Sequence, residues 1–150
     1  MRTGEGVRVT ELRALQAVVA VLSLIPLSAG AAGIILGPSF LGIEAPWPTN
    51  LDSHFRFLSG VLFAVGIGFF SCVPSIERKG SRFRLLAGCV FLGGAARLLS
   101  LGIAGAPSPG HIGGLFMELV AVPLLVLWQA RLAKGSFESG QASMTPARTG

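Results

Sequence analysis

Four charged side chains stand in or beside otherwise apolar stretches of this chain: Asp52, Arg56, Arg97 and Glu118. A charge in hydrocarbon costs roughly 2.5–3.5 kcal/mol on insertion scales, so such a group turns towards its own protein and takes a partner. Two arginines against two carboxylates cancel, and they pair naturally as Arg56 with Asp52 and Arg97 with Glu118. Two chemistries stay open for them. The pairs can be structural, locking helix register, because removing one partner of a buried pair costs roughly 3–5 kcal/mol. Alternatively, Arg97 or Arg56 holds an anionic or carbonyl group and Glu118 takes or gives a proton, as intramembrane ionisable residues often do. His54, His111 and Ser100 are secondary candidates for the same polar cluster. Two histidines with Asp52 and Glu118 offer metal-ligand types. Each lies on a different element, however, and the spacing is not diagnostic, so neither metal nor cofactor is expected.

The elements that must position these groups are apolar and long. The chain has 150 residues, 51% hydrophobic and only 13% charged, with a mean hydropathy of +0.70. An ordinary soluble domain is about 25% charged, and about 20 apolar residues cross a hydrocarbon core. Four such runs are present, over about 14–36, 55–76, 83–104 and 112–132. The reading is an all-α membrane protein, a four-transmembrane-helix antiparallel bundle over residues 14–134. Residues 1–13 form a polar cytoplasmic segment, and 135–150, small and polar without periodicity, read as a disordered cytoplasmic tail.

The joints between runs carry turn signals. The stretch 37–50 is rich in glycine and proline, and its Trp47 suits a membrane interface. Glu77-Arg-Lys-Gly-Ser-Arg82 is a short basic turn that makes the second and third runs a hairpin, and Gly102 to Gly110 is a further turn. The first run admits two readings. A basic start, about 13 apolar residues and Ala29-Gly-Ala31 describe a cleavable signal peptide. The run resumes through Gly33-Ile-Ile-Leu36 and is preceded by Glu5 and Glu11, which favours a retained helix.

Charge placement sets the orientation. Arg2, Arg8, Arg13, Arg78, Lys79, Arg82, Arg84, Arg131, Lys134 and Arg148 fall on one side of a four-pass arrangement, ten of the twelve basic residues. By the positive-inside rule, both termini and the basic turn are cytoplasmic. Basic residues that bracket apolar runs, instead of forming one stripe, argue against a nucleic-acid partner. On this topology Arg97 lies about 21 Å along the third helix and Glu118 about 9 Å into the fourth, at 1.5 Å per residue. All four charges then converge on the outer half of the bundle.

Helices in lipid associate through small residues and polar contacts. Four-residue spacing marks such a seam on the second run, Asp52, Arg56, Gly60, Ala64, Gly68 and Cys72, and a matching one on the third, Cys89, Gly93 and Arg97. Residues four apart share a helix face, so Gly60, Ala64, Gly68 and Gly93 are expected to pack the second helix on the third. Cys72 and Cys89 lack metal or redox spacing and read as small hydrophobes. No nucleophile elbow, phosphate-binding loop or dinucleotide fingerprint occurs, and no enzyme activity is expected.

Asp52-Ser-His-Phe-Arg56, Gly94-Ala-Ala-Arg97-Leu-Leu-Ser100, Gly105-Ala-Pro107 and Glu118, in this order and spacing, resemble domain of unknown function 4345. That family consists of small bacterial four-helix membrane proteins, and the resemblance runs from about Leu15 to Ala133. It implies a multi-pass protein of the bacterial inner membrane and supplies no activity or catalytic residue. The general plan is also similar to DoxX-like families, some linked to quinone or thiol redox chemistry, a likeness of architecture alone. The expected function is binding of a small ligand, a lipid or a partner subunit through the Arg/Glu cluster. The expected partners are the lipid bilayer and a homo-oligomer or envelope complex. The alternatives are a proton-coupled transporter working as a dimer through Glu118, and a quinone-linked redox accessory subunit, against which the lack of CxxC counts.

Overall fold

The computed structural model describes residues 2–144, with side chains over residues 6–134. All its elements are helical: α1 (Arg2–Leu36), a 3-10 turn (Gly37–Leu41), α2 (Thr49–Cys72), a second 3-10 turn (Val73–Ser75), α3 (Gly80–Ala104), α4 (Pro109–Phe116), a π-helical turn (Met117–Ala121) and α5 (Val122–Met144). There is no strand among the described residues. Four helical spans are long and apolar enough to cross a membrane: Gly6–Leu41, Thr49–Ser75, Gly80–Ala104 and Pro109–Lys134.

The ends differ from the boundaries expected from the sequence. The first helix starts at Arg2, well before the apolar run, because Glu5, Arg8, Glu11, Leu12 and Arg13 are good helix formers that extend a nucleus already made. Similarly, α5 runs through Lys134 to Met144, ten residues into the stretch expected to be disordered, with no proline before Pro146 to stop it. The rest of that tail, 145–150, lies outside the described residues.

The chain divides into two compact units, 16–74 and a second made of 1–15 and 75–150. In the first, α1 and α2 run antiparallel. Gln16 Nε2 donates to the Val73 carbonyl at 2.9 Å, Leu27 lies against Gly66, and Gly30 lies against Phe63 and Ser59. A Cβ at Gly30 would come within 2.7 Å of the Phe63 nitrogen and 2.8 Å of the Ser59 carbonyl. Small residues thus let the two backbones touch. The buried side chains here are Val19, Ser23, Pro38, Ser59, Phe69 and Cys72. The two hydroxyls bond within their own helices, Ser23 Oγ to Val19 O at 2.6 Å and Ser59 Oγ to Phe55 O at 2.8 Å, so burial leaves neither unmet.

In the second unit α3 packs antiparallel to the span formed by α4, the π turn and α5. Phe83, Ala87 and Gly94 are the buried positions of α3. Gln129 of α5 is fully buried and donates from Nε2 to the Ile76 carbonyl at 2.9 Å. Its Oε1 has no hydrogen-bond partner and would lie 3.4 Å from a Cβ at Gly80. On the same α5, Arg131 Nη2 approaches Glu11 Oε1 of α1 at 3.5 Å.

The buried positions place the helix contacts differently from a four-residue row. A Cβ at Gly60 or Gly93 would meet nothing within 4 Å, and Ala64 is exposed, whereas Gly66 and Gly94 are buried against neighbours. With 3.6 residues per turn, each four-residue step rotates about 40° around the helix, so five steps from Asp52 to Cys72 turn about 200°. The row therefore leaves the face it starts on. In α2 the contacts follow a mean spacing near 3.5 instead, at Asp52, Ser59 and Gly66.

Candidate functional site

The first charged pair terminates a helix. Asp52 sits in the first turn of α2, where backbone N–H groups lack helical partners and a negative charge is favoured. Trp47 Nε1 donates to Asp52 Oδ1 at 3.1 Å. Arg56, one turn on, donates from Nε to Oδ1 at 3.1 Å and to Oδ2 at 3.0 Å. Its Nη1 reaches across to α1 and donates to the carbonyls of Ile34 and Ile35, the latter at 3.1 Å. The last carbonyls of a helix have no partner within it and carry the negative end of its dipole. Arg56 supplies both a donor and a positive charge there. Gly37 closes the arrangement: its φ is +61°, and an added Cβ would lie 2.7 Å from Arg56 Nη2 and from Asp52 Oδ1. Only glycine meets that conformation and that space together.

The second pair lies in the other unit. Arg97 Nε donates to Glu118 Oε2 at 3.1 Å, and Nη2 donates to Oε1 at 3.2 Å. The contact is a fork in which one edge of the guanidinium takes both carboxylate oxygens. The Arg97 and Glu118 side chains keep 35% and 20% of their exposure. Gly94, on the turn before Arg97, brings α3 against the π turn: a Cβ there would lie 2.8 Å from Glu118 Cβ and 2.9 Å from Leu119 Cδ2.

Pro123 explains the π turn. It has no N–H, and in an α-helix its ring would clash with the Leu119 carbonyl four residues back. The backbone widens over Met117–Ala121, and the Val122 N–H bonds to the Met117 carbonyl five residues back. That choice leaves the Glu118 carbonyl without a backbone donor, since its α-helical partner is Val122 and its π-helical partner would be Pro123. Arg97 has its own surplus. Nε and one N–H of Nη2 are used, and the edge carrying Nη1 has no partner among the described residues.

The other candidates are peripheral. His54 and Ser100 are exposed, and neither side chain has a hydrogen-bond partner among the described residues. His111 Nδ1 lies 2.9 Å from Ser108 Oγ at the start of α4. No three His, Cys, Asp or Glu side chains cluster to hold a metal ion among the described residues. Cys72 is buried and Cys89 exposed, and neither is in a disulfide among the described residues. Asp52 and Arg56 belong to the unit 16–74, and Arg97 and Glu118 to the other. Sequence reasoning passed over Gln16 and Gln129, although an amide inside an apolar run is a polar group that requires a partner. It also placed Trp47 only at an interface, where the structure joins it to Asp52.

The family described as Domain of unknown function (DUF4345) matches residues 14–129. No curated protein matches the chain, and no solved structure matches it. The matched stretch takes in α2, α3, α4 and the π turn whole, and with them both charged pairs. The chain belongs to this family.

Proposed function

We propose that this member of the DUF4345 family is a multi-pass protein of the bacterial inner membrane that binds an oxygen-bearing small molecule or lipid at Arg97 and Glu118. Both termini and the 77–82 turn are taken as cytoplasmic, since ten of the twelve basic residues then lie on that side. Membrane insertion is supported by the surface of the spans. Ile35, Leu85, Leu92, Ile103 and Leu127 are each at least 66% exposed, which suits hydrocarbon and is costly in water at about 25 cal/mol per Å².

One observation carries the binding assignment. Arg97 engages Glu118 through one guanidinium edge and leaves its remaining donors unmatched and partly exposed. A donor left unmatched in hydrocarbon is costly, so a ligand oxygen gains by meeting it. Arg56 bonds through Nε to Asp52 and through Nη1 to the end of α1, joining two helices, which supports a structural role for that pair. Transport through Glu118 is less well supported, because both its oxygens accept from Arg97 and a proton would have to displace one of those bonds. We assign no enzyme activity.

The test is retention. The full chain is purified in a mild detergent, and bound small molecules and lipids are identified by native mass spectrometry. The wild-type protein is expected to retain a defined species that the Arg97→Gln/Glu118→Gln double variant, a neutral pair of similar volume, loses by about tenfold or more. Identical profiles for the two folded proteins would overturn the assignment.

A further inference from the structure

We infer that Arg84 holds the phosphate of an anionic phospholipid from the cytoplasmic leaflet. The inference rests on the membrane topology proposed above and is independent of any ligand at Arg97 and Glu118. The third span begins at Gly80, so Arg84 lies one turn inside it, about 6 Å from its start at 1.5 Å per residue. Its side chain is exposed and has no hydrogen-bond or ion-pair partner among the described residues. Arg97, deeper in the same helix, has Glu118. Arg84 has no carboxylate of the protein, and a cation at that depth takes its counter-ion from the membrane.

The direction of the side chain fits this use. A Cβ at Gly80 would lie 3.0 Å from Arg84 Nη1, so the guanidinium is folded back by one turn, towards the basic 77–82 turn. A long cation does this when its stem lies in hydrocarbon and its head among the headgroups. Gln129 Oε1 flanks the same point at 3.4 Å, yet that oxygen accepts no bond, and the guanidinium keeps its donors. Further along α3, Leu85 and Leu92 are 70% and 69% exposed, with Gly88 exposed between them. Two turns apart on one face, they offer an apolar strip that an acyl chain can follow. Charge selects the headgroup. The basic residues of 8–13, 78–84 and 131–134 outnumber Glu11 and Glu77 by four to one, all within the unit made of 1–15 and 75–150. A headgroup with net negative charge gains from that field, whereas the ammonium of a choline headgroup cancels its phosphate.

The probes are dioleoyl phosphatidylglycerol and dioleoyl phosphatidylcholine, titrated separately into the delipidated full chain in detergent and counted as bound adducts by native mass spectrometry. The wild-type protein is expected to bind its first phosphatidylglycerol about tenfold more tightly than phosphatidylcholine. Arg84→Gln, at an exposed helical position, is expected to fold with an unchanged melting temperature. It should bind phosphatidylglycerol about fivefold more weakly, the factor that corresponds to about 1 kcal/mol for one basic residue near an anionic surface, with phosphatidylcholine unaffected. Arg78→Gln removes an arginine that lies outside the span, 3.8 Å from Glu77, and is expected to change the affinity by less than about twofold. Equal binding of the two lipids by the wild-type protein overturns the inference, and so do equal losses in the two variants, which would show a diffuse field in place of a site. Displacement of phosphatidylglycerol by inorganic phosphate at matched ionic strength would assign Arg84 to a soluble anion and overturns it too. A melting temperature lowered in Arg84→Gln with lipid binding unchanged would show that Arg84 serves Gln129, which also overturns it. The Arg97→Gln/Glu118→Gln variant is expected to keep the preference for phosphatidylglycerol, so the two sites fail or stand separately.

Discussion

At the scale of single residues, Arg97 and Arg56 have the same charge and different uses. Arg56 ties two helices together: it holds Asp52, and its Nη1 covers the end of α1. Arg97 holds only Glu118. A double-mutant cycle reads the strength of that second pair. Arg97→Leu alone leaves a carboxylate unpaired and is expected to destabilise the protein towards the lower end of the 3–5 kcal/mol that breaking a buried pair costs, because a third of the arginine is exposed. Glu118→Leu is expected to cost a similar amount. The double variant should be less destabilised than the sum of the two, with a coupling of about 1–3 kcal/mol in reversible unfolding from detergent micelles. Additivity of the two costs would show that the residues do not sense each other. The partners themselves were legible in the sequence, since two arginines and two carboxylates in apolar surroundings leave few choices. What Arg56 does beyond Asp52 was not, because it depends on where α1 ends in space, and that is fixed by Gly37 and its φ of +61°.

At the scale of elements, the decisive contacts are those of Gly30 and Gly66 between α1 and α2, and of Gly94 between α3 and the π turn. Sequence spacing pointed to Gly93 for packing the second helix on the third; against the π turn it is Gly94 that makes the close approach. The two glycines are adjacent and indistinguishable by composition, and only the helical rotation accumulated from the buried Phe83 and Ala87 separates them. The distinction is measurable. Gly94→Ala would drive a methyl group to within 2.8 Å of Glu118 Cβ and 2.9 Å of Leu119 Cδ2, and overpacking of this kind costs about 1–3 kcal/mol. Gly93→Ala meets nothing within 4 Å and exchanges a weak helix former for the best one, so it should be neutral or stabilising by up to about 1 kcal/mol. Thermal unfolding of the two variants side by side gives the answer; equal effects would show that the close approach is not where it is placed here. Pro123 was visible in the sequence too, but the π turn was not. A proline inside a helix can be absorbed by a kink, a break or a widened turn, and the choice is made by packing against α3.

At the scale of the whole molecule, the apolar spans were the most legible feature. Composition alone distinguishes a chain with 13% charged residues from a soluble domain. Helix ends were less legible: α1 and α5 both run past their apolar runs into polar sequence, because an established helix propagates through residues that would not nucleate one. Orientation is testable through the exposed thiol. Cys89 lies within the third apolar span, so a membrane-impermeant maleimide applied to intact membranes is expected to leave it unlabelled and to react only after solubilisation and unfolding. A cysteine introduced at Ser81 should be labelled in inside-out vesicles and protected in right-side-out ones. Labelling of Cys89 in intact membranes would refute the four-pass topology, and the reverse pattern at position 81 would refute the cytoplasmic placement of the termini and the 77–82 turn.

The reach of Arg56 has a consequence for how the chain is made. The carbonyl of Ile34 is covered by a side chain that lies 22 residues further along, so as α1 leaves the ribosome that carbonyl lacks this donor and must stay hydrated. It can be dehydrated at no penalty only once the start of α2, carrying Asp52 and Arg56 together, has been synthesised. On the proposed membrane topology, the first two helices should therefore enter the bilayer as a pair, once the 37–48 connection and the start of α2 have been made.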